Sequence, residues 1–262
     1  MTGAQAEGTD PSQAEKPPKV RRPAGLWFRL LSVGGIPIFV DPLVAGLLAF
    51  VFLGGAGPAG LGARLAMLGI ALGSVLLHEV GHAWMARRRG LHVGGIFLHL
   101  VPFAYVERGA PADELRVALA GPAVNLVLTG LLLLVPGLAA EFPWLDFSAW
   151  LENPLWAALG INLLMGVLNL VPALPADGGR ALRAALLLRM PPGGSPGWAY
   201  ARTARIGTFV GTALLLLAVL VHRWPDSLAL ALLGVFLILV AWREARAGQR
   251  ERRIERARAR GE

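Results

Sequence analysis

Residues 78–82 read His78-Glu79-Val80-Gly81-His82. Two histidines four apart share one face of a helix, so their imidazoles can grip a single metal ion. Glu79, beside them, is placed to act as general base for a water activated at that metal. The chain has no cysteine, which excludes thiolate ligands and disulfides; any metal must take His, Asp or Glu. The pentapeptide also lies in a stretch apolar enough for a bilayer, where ionisable residues are costly and usually functional.

The elements that must carry these residues are membrane spans. The 262 residues are 55% hydrophobic and only 16% charged, with a mean hydropathy of +0.56. A soluble domain is nearer a quarter charged. On the criterion of about 20 apolar residues per crossing, six spans are expected, roughly over 43–62, 64–85, 116–137, 155–174, 205–222 and 226–242. Residues 1–25 read as a polar, Pro-containing disordered tail rather than a cleavable signal peptide, and 243–262 as an Arg-rich polar tail. The core between them covers 26–242. Two stretches, around Gly34 to Val40 and over 91–106, are β-branched and aromatic and favour strands. No repeat of solenoid or propeller length is evident. The expected class is an all-α polytopic membrane protein with short membrane-associated β segments near the active site.

The formal charge of +8 could suggest nucleic acid, but its distribution argues for topology instead, and no nucleic-acid partner is expected. With the N-terminus inside, the inside segments hold five, five, five and eight Lys/Arg, and the outside ones only Arg64 and Arg223. The longest outside loop carries Glu141, Asp146 and Glu152. That is the positive-inside pattern, and it puts both termini in the cytoplasm of a multi-pass protein in the cell's inner membrane.

A catalytic zinc takes three protein ligands and leaves one position open. On this topology His78 and His82 sit toward the cytoplasmic end of the second span. His222 falls at the opposite side, and His92 and His99 read as strand or interface residues. Asp177 follows the fourth span, also inward-going, in the run Asn169-Leu170-Val171-Pro172-Ala173-Leu174-Pro175-Ala176-Asp177-Gly178-Gly179. The two prolines forbid a regular helix and the glycines permit unusual backbone angles. Alone, Asp177-Gly178-Gly179 reads equally as a turn and N-cap for an amphipathic helix over 180–190. Facing the histidine pair at the same depth, Asp177 is the better third ligand.

These residues resemble the site-2 protease family of intramembrane zinc metalloproteases. Three segments carry the likeness, over about residues 30–190: Leu77 to Ala83, the Ala120-Gly121-Pro122-Ala123-Val124-Asn125 run that opens the third span, and Asn169 to Gly179. The last is similar to the family's Asn-x-x-Pro-x-x-Pro-Leu-Asp-Gly signature, with Ala176 in place of the usual Leu. The resemblance implies one zinc bound by His78, His82 and Asp177, and Glu79 activating the water. It implies Asn169 as a hydrogen-bond donor near the substrate or tetrahedral intermediate, although interhelical glue explains that residue nearly as well. Gly121-Pro122 and Asn125 read as packing and kink residues.

The expected reaction is therefore hydrolysis of a peptide bond within or beside a transmembrane segment, in regulated intramembrane proteolysis. Its partners would be the lipid bilayer and a single-span membrane protein, such as an anti-sigma factor or similar signalling protein. Unwound substrate backbone in lipid leaves costly unsatisfied groups, and a strand edge from 31–40 or 91–106 could pair with it by β-addition. The loop at 138–154 and the tail at 243–262 are too short for a PDZ or CBS domain, which reads as a minimal core enzyme. The competing reading is a catalytically silent membrane scaffold or binding module of the same fold, which would have no need of Glu79.

Overall fold

The computed structural model describes residues 26–42, 46, 60–98, 103–107, 109–143, 153–191, 195–220 and 226–260. The expected N-terminal tail and most of the expected first span lie outside these residues, as do His99 and His222.

A four-stranded sheet precedes and follows the first long helix. Strands β1 (Phe28–Val33) and β2 (Ile36–Val40) form an antiparallel hairpin. Its two turn residues, Gly34 and Gly35, both have positive φ (53° and 79°), as the tightest hairpin turns require. The chain then passes through α1 (Leu61–Arg88) and returns as β3 (Val93–Leu98), parallel to β2, and β4 (Phe103–Val106), antiparallel to β3. The order is β1-β2-β3-β4, so the edges are β1 and β4. Both stretches expected as strands are strands. Ile36, Ile38, Val93 and Ile96 bury one face of the sheet against Ala83 and Ala86 of α1 and against Val117. The Arg87 guanidinium donates to the Gly34 carbonyl and ties the hairpin tip to the end of α1.

Helix α1 is 28 residues long, about 42 Å at 1.5 Å per residue. It ends where Arg87 and Arg88 favour the negative end of the helix dipole and Gly90 turns left-handed at φ 75°. Helix α2 (Pro111–Leu133) opens with Pro at its first position and Asp113 and Glu114 in its first turn. It runs straight through the buried Pro122 and packs against α1 and two further helices. After the short α3 (Leu138–Glu141), helix α4 (Pro154–Asn169) starts where the Asn153 side chain accepts from the Leu155 N–H at 2.9 Å. Helix α5 (Asp177–Leu188) is strongly amphipathic in its sequence, and α6 (Pro196–Leu220) and α7 (Asp226–Arg260) form an antiparallel pair.

Among the described residues, α1, α2 and α6 are long and apolar enough to cross a membrane. Helix α4 is shorter than the expected 155–174 span. It stops at Asn169 after 16 residues, about 24 Å of rise, because Pro172 and Pro175 cannot continue the backbone hydrogen-bond ladder. The residues left over make the irregular link to α5. Helix α7, by contrast, runs past 242 and carries the basic stretch as helix to Arg260.

Helices α6 and α7 touch backbone to backbone. A Cβ on Gly211 would lie 2.7 Å from the Gly234 carbonyl oxygen, and one on Gly197 2.7 Å from that of Gly248. Small residues are how helices in lipid gain close van der Waals contact. Arg183 of α5 joins this pair through Glu244, at 2.9 Å. Replacing Gly211 with Leu should force α6 and α7 apart and cost about 1–3 kcal/mol. A lowered unfolding temperature in detergent, with unchanged secondary structure at low temperature, is the expected reading.

Candidate metal centre and cleft

His78 and His82 stand one turn apart near the end of α1, and Asp177 is the first residue of α5. The three side chains converge. Asp177 Oδ2 lies 3.0 Å from His78 Nε2 and 3.0 Å from His82 Nε2, and the two Nε2 atoms are 3.1 Å apart. All three residues are buried, with relative exposures of 4%, 3% and 6%.

The far side of each imidazole decides what this triangle is. His78 Nδ1–H donates to Asn125 Oδ1 at 2.6 Å, and His82 Nδ1–H donates to the Val117 carbonyl at 2.7 Å. With the proton on Nδ1, each neutral ring presents a bare Nε2 lone pair to the centre. Three acceptors thus face one another in a buried place with no proton between them. Such an arrangement is strongly unfavourable unless a cation completes it. Zinc bonds of about 2.0–2.1 Å set ligand atoms roughly 3.3–3.4 Å apart in a tetrahedron, close to the edges found here. Two imidazole nitrogens and one carboxylate oxygen suit that ion.

Each ligand has a local reason for its place. Helix α2 passes directly beneath the imidazoles at Gly121, where a Cβ would sit 2.3 Å from His82 Nε2 and 2.7 Å from His78 Nε2. Gly81 permits the approach from the other helix, since a Cβ there would meet the Ala120 carbonyl oxygen at 2.9 Å. Asp177 is not the N-cap of α5. That position is Ala176, without a side-chain cap, and the Asp177 carboxylate turns to the histidines instead. Nor do Gly178 and Gly179 supply unusual angles: neither has positive φ. They are needed for space, because a Cβ would fall 2.3 Å from the Leu170 carbonyl oxygen or 2.4 Å from the Leu174 nitrogen. The irregular link is folded back hard onto the start of α5.

Arg180, one turn along α5, donates to Asp177 Oδ1 at 2.9 Å. It engages one carboxylate oxygen and leaves Oδ2 toward the imidazoles. Behind His78, Asn125 is fully buried and continues a polar chain. Its amide donates to Asn162 Oδ1 at 2.8 Å, and Asn162 donates to Ser74 Oγ at 3.0 Å and to the Ala158 carbonyl at 2.8 Å. The chain links α1, α2 and α4 at the depth of the ligands.

Glu79 is 5% exposed, and its Oε2 has no hydrogen-bond partner among the described residues. It lines a cleft of about 400 Å³ with the metal triad, Ala104 of β4, Met165 and Asn169 of α4, and Arg180. The Asn169 amide donates to the Met165 carbonyl at 3.0 Å. It thus faces the same cleft but touches none of the three ligands. His92, next to β3, is not part of the cluster; its Nε2 is buried without a partner among the described residues.

The sequence reading singled out His78, His82, Asp177 and Glu79; in the structure the first three converge and the fourth lines the same cleft. It missed two partners by assigning them to packing: Gly121, which clears room for both rings, and Asn125, which orients His78. It did not identify Arg180 at all. The available signal was the four-residue spacing of Gly121 and Asn125, which puts both on one face of α2. Outer hydrogen bonds of this kind usually carry 10–100-fold in metal affinity. Asn125→Leu should weaken zinc binding by about that factor in a chelator competition, and Gly121→Ala should do so more severely.

No family model matches the chain. It is 31% identical over 175 residues to a zinc metalloprotease of Methanocaldococcus jannaschii, a match covering 66% of this chain and 47% of the relative. It is 34% identical over 176 residues to Rip3 of Mycobacterium tuberculosis, covering 66% and 44%. The chain thus spans less than half the length of these curated relatives. Among solved structures it is similar to the site-2 protease from Methanocaldococcus jannaschii, with a TM-score of 0.55 and 26% identity, over 84% of this chain and 95% of that one. The likeness extends over nearly the whole of that solved fold, so the chain is similar in fold to the site-2 proteases.

Proposed function

We propose that this protein is a zinc metalloendopeptidase that hydrolyses peptide bonds within or next to transmembrane segments of membrane proteins. One observation carries the reading: the buried carboxylate of Glu79, whose Oε2 has no partner among the described residues, lines the same cleft as three converging atoms able to bind a metal. A structural metal site would have no use for that carboxylate, and an intramembrane charge without a partner is costly.

A bound zinc supplies Lewis acidity, polarising the scissile carbonyl and lowering the pKa of the attacking water. His78, His82 and Asp177 hold it, with Asn125, the Val117 carbonyl and Arg180 keeping each ligand oriented. Glu79 accepts the proton as water oxygen bonds to the carbonyl carbon. It returns that proton to the amine nitrogen as the C–N bond breaks. Asn169 has an amide N–H beyond the one given to Met165 and is placed to donate to the polarised carbonyl oxygen.

The substrate must present extended backbone to this cleft, and β4 supplies the means. It is a sheet edge, and Ala104 within it lines the cleft. A substrate strand added to β4 would satisfy its own backbone groups while it crosses the metal site. The other candidate stretch offers only β1 as an edge; β2 and β3 are internal, and Ile96 lies in one of them.

The charge pattern supports six spans in the inner membrane with both termini cytoplasmic. That topology brings the cleft to the cytoplasmic side. A single-span signalling protein, cut in regulated intramembrane proteolysis, suits a site reached in this way.

Glu79→Gln should retain zinc and lose cleavage by at least about 10²-fold. Fragments that accumulate in wild-type membranes and vanish in the variant would identify the substrates; identical fragment patterns would instead favour a silent scaffold. Proline placed singly at Ala104 and at Tyr105 tests the strand edge, since alternate residues of an edge strand point their N–H groups outward. At least one of the two should depress cleavage several-fold with zinc still bound, and normal activity in both would exclude β-addition at β4.

A further inference from the structure

We propose that the groove between α6 and α7 binds an anionic phospholipid. Its phosphate is held by Arg205 and Arg246, and an acyl chain lies along the groove below.

Helices α6 and α7 pack in a defined antiparallel register. Gly211 meets Gly234, Gly207 meets Ala241 and Gly197 meets Gly248, so residues 205–208 of α6 lie level with about 238–245 of α7. At that level both helices change character together. Helix α6 carries Arg202 and Arg205 and then no charge to Leu220; α7 carries no charge from Ser227 to Trp242 and then Arg243, Glu244 and Arg246. A coincident switch on two antiparallel helices marks the plane where hydrocarbon gives way to headgroups.

A groove of about 500 Å³ straddles this plane. Its apolar wall comes from Ala204, Ile238 and Ala241, with Thr208 beside them; Arg205 and Trp242 stand at its rim. Trp242 is 53% exposed, as an interfacial indole is when lipid surrounds it. The Arg246 guanidinium stacks 3.5 Å over that indole, and Arg202 stacks 4.4 Å over Trp198. Among the described side chains, none of these three arginines has a carboxylate partner, because Glu244 is engaged by Arg183 at 2.9 Å.

The mouth is therefore cationic and the floor apolar. A guanidinium offers paired N–H donors that match phosphate oxygens, and basic pockets between helices on the cytoplasmic side are a recurrent form of lipid headgroup site. The contact with Trp242 fixes the position of the Arg246 guanidinium, which has no carboxylate partner among the described side chains. A transmembrane peptide would need acidic residues at this level to neutralise the same charges; an anionic phospholipid brings its phosphate and its chain together.

The test is lipid retention by the purified full chain. Protein equilibrated with equal phosphatidylglycerol and phosphatidylcholine of matched acyl chains is analysed by native mass spectrometry. Wild type should retain the anionic lipid about tenfold over the zwitterionic one, and the preference should shrink as ionic strength rises. The double variant Arg205→Gln/Arg246→Gln should lose the preference. Thr208→Trp, which closes the groove with both arginines intact, should lose retention of the lipid itself. Zinc content and unfolding temperature report that each variant is folded. Equal retention of the two lipids by wild type, or an unchanged preference in the double variant, overturns the proposal. So does a photocrosslinker at Ala245 that captures peptide and no phospholipid.

Discussion

Three electron-pair donors, His78 Nε2, His82 Nε2 and Asp177 Oδ2, are held about 3 Å apart in a buried site, and much of the surrounding structure is arranged around that constraint. Acceptors do not gather in a low-dielectric interior unless a cation compensates them, and each must be kept from relaxing away. The Val117 carbonyl and the Asn125 amide fix the ring tautomers, Arg180 holds the free carboxylate oxygen, and Gly121 lets a third helix backbone pass within contact of both rings. Removing any of these would leave the ligand types in place and their geometry undetermined.

The remaining elements serve access to that centre. The short α4 and the proline-bearing link after it deliver Asp177 to the level of the histidines, where an unbroken helix would have carried it past. The sheet leans on the same end of α1 through Ile36, Ile38 and Ile96, and so sets its free edge, β4, beside the cleft. Helix α5 is tied in turn to α7 by Arg183 and Glu244. The pair α6–α7 thus braces the helix that carries the third ligand, while its outer face meets lipid.

Sequence reasoning reached the three converging side chains because their chemistry is local. A His-Glu-x-x-His spacing puts two imidazoles on one helix face whatever else the chain does, and an aspartate between prolines and glycines at the same depth has few other uses. Strands were legible from β-branched and aromatic runs, and the long apolar helices α1, α2 and α6 from apolar length. The misreadings have a common cause. Gly178 and Gly179 read as permitting unusual backbone angles because glycine is permissive, whereas they serve as gaps beside the Leu170 and Leu174 backbone. Asn125 read as packing because its partner, His78, is 47 residues away. The end of α4 was placed too late because apolar residues continue beyond the point at which proline breaks the backbone ladder.

By itself, then, the amino-acid order determined which atoms could bind a metal and which residue could move a proton. These follow from side-chain type and helical period, both of which are local. Tertiary structure alone decided which nitrogen of each histidine faces the metal, which asparagine orients it, which oxygen of Asp177 is left free, and which strand is an edge. Those are properties of pairs of groups far apart in the chain. They exist only once close helix packing, made possible at Gly81 and Gly121, has brought the partners within hydrogen-bonding distance.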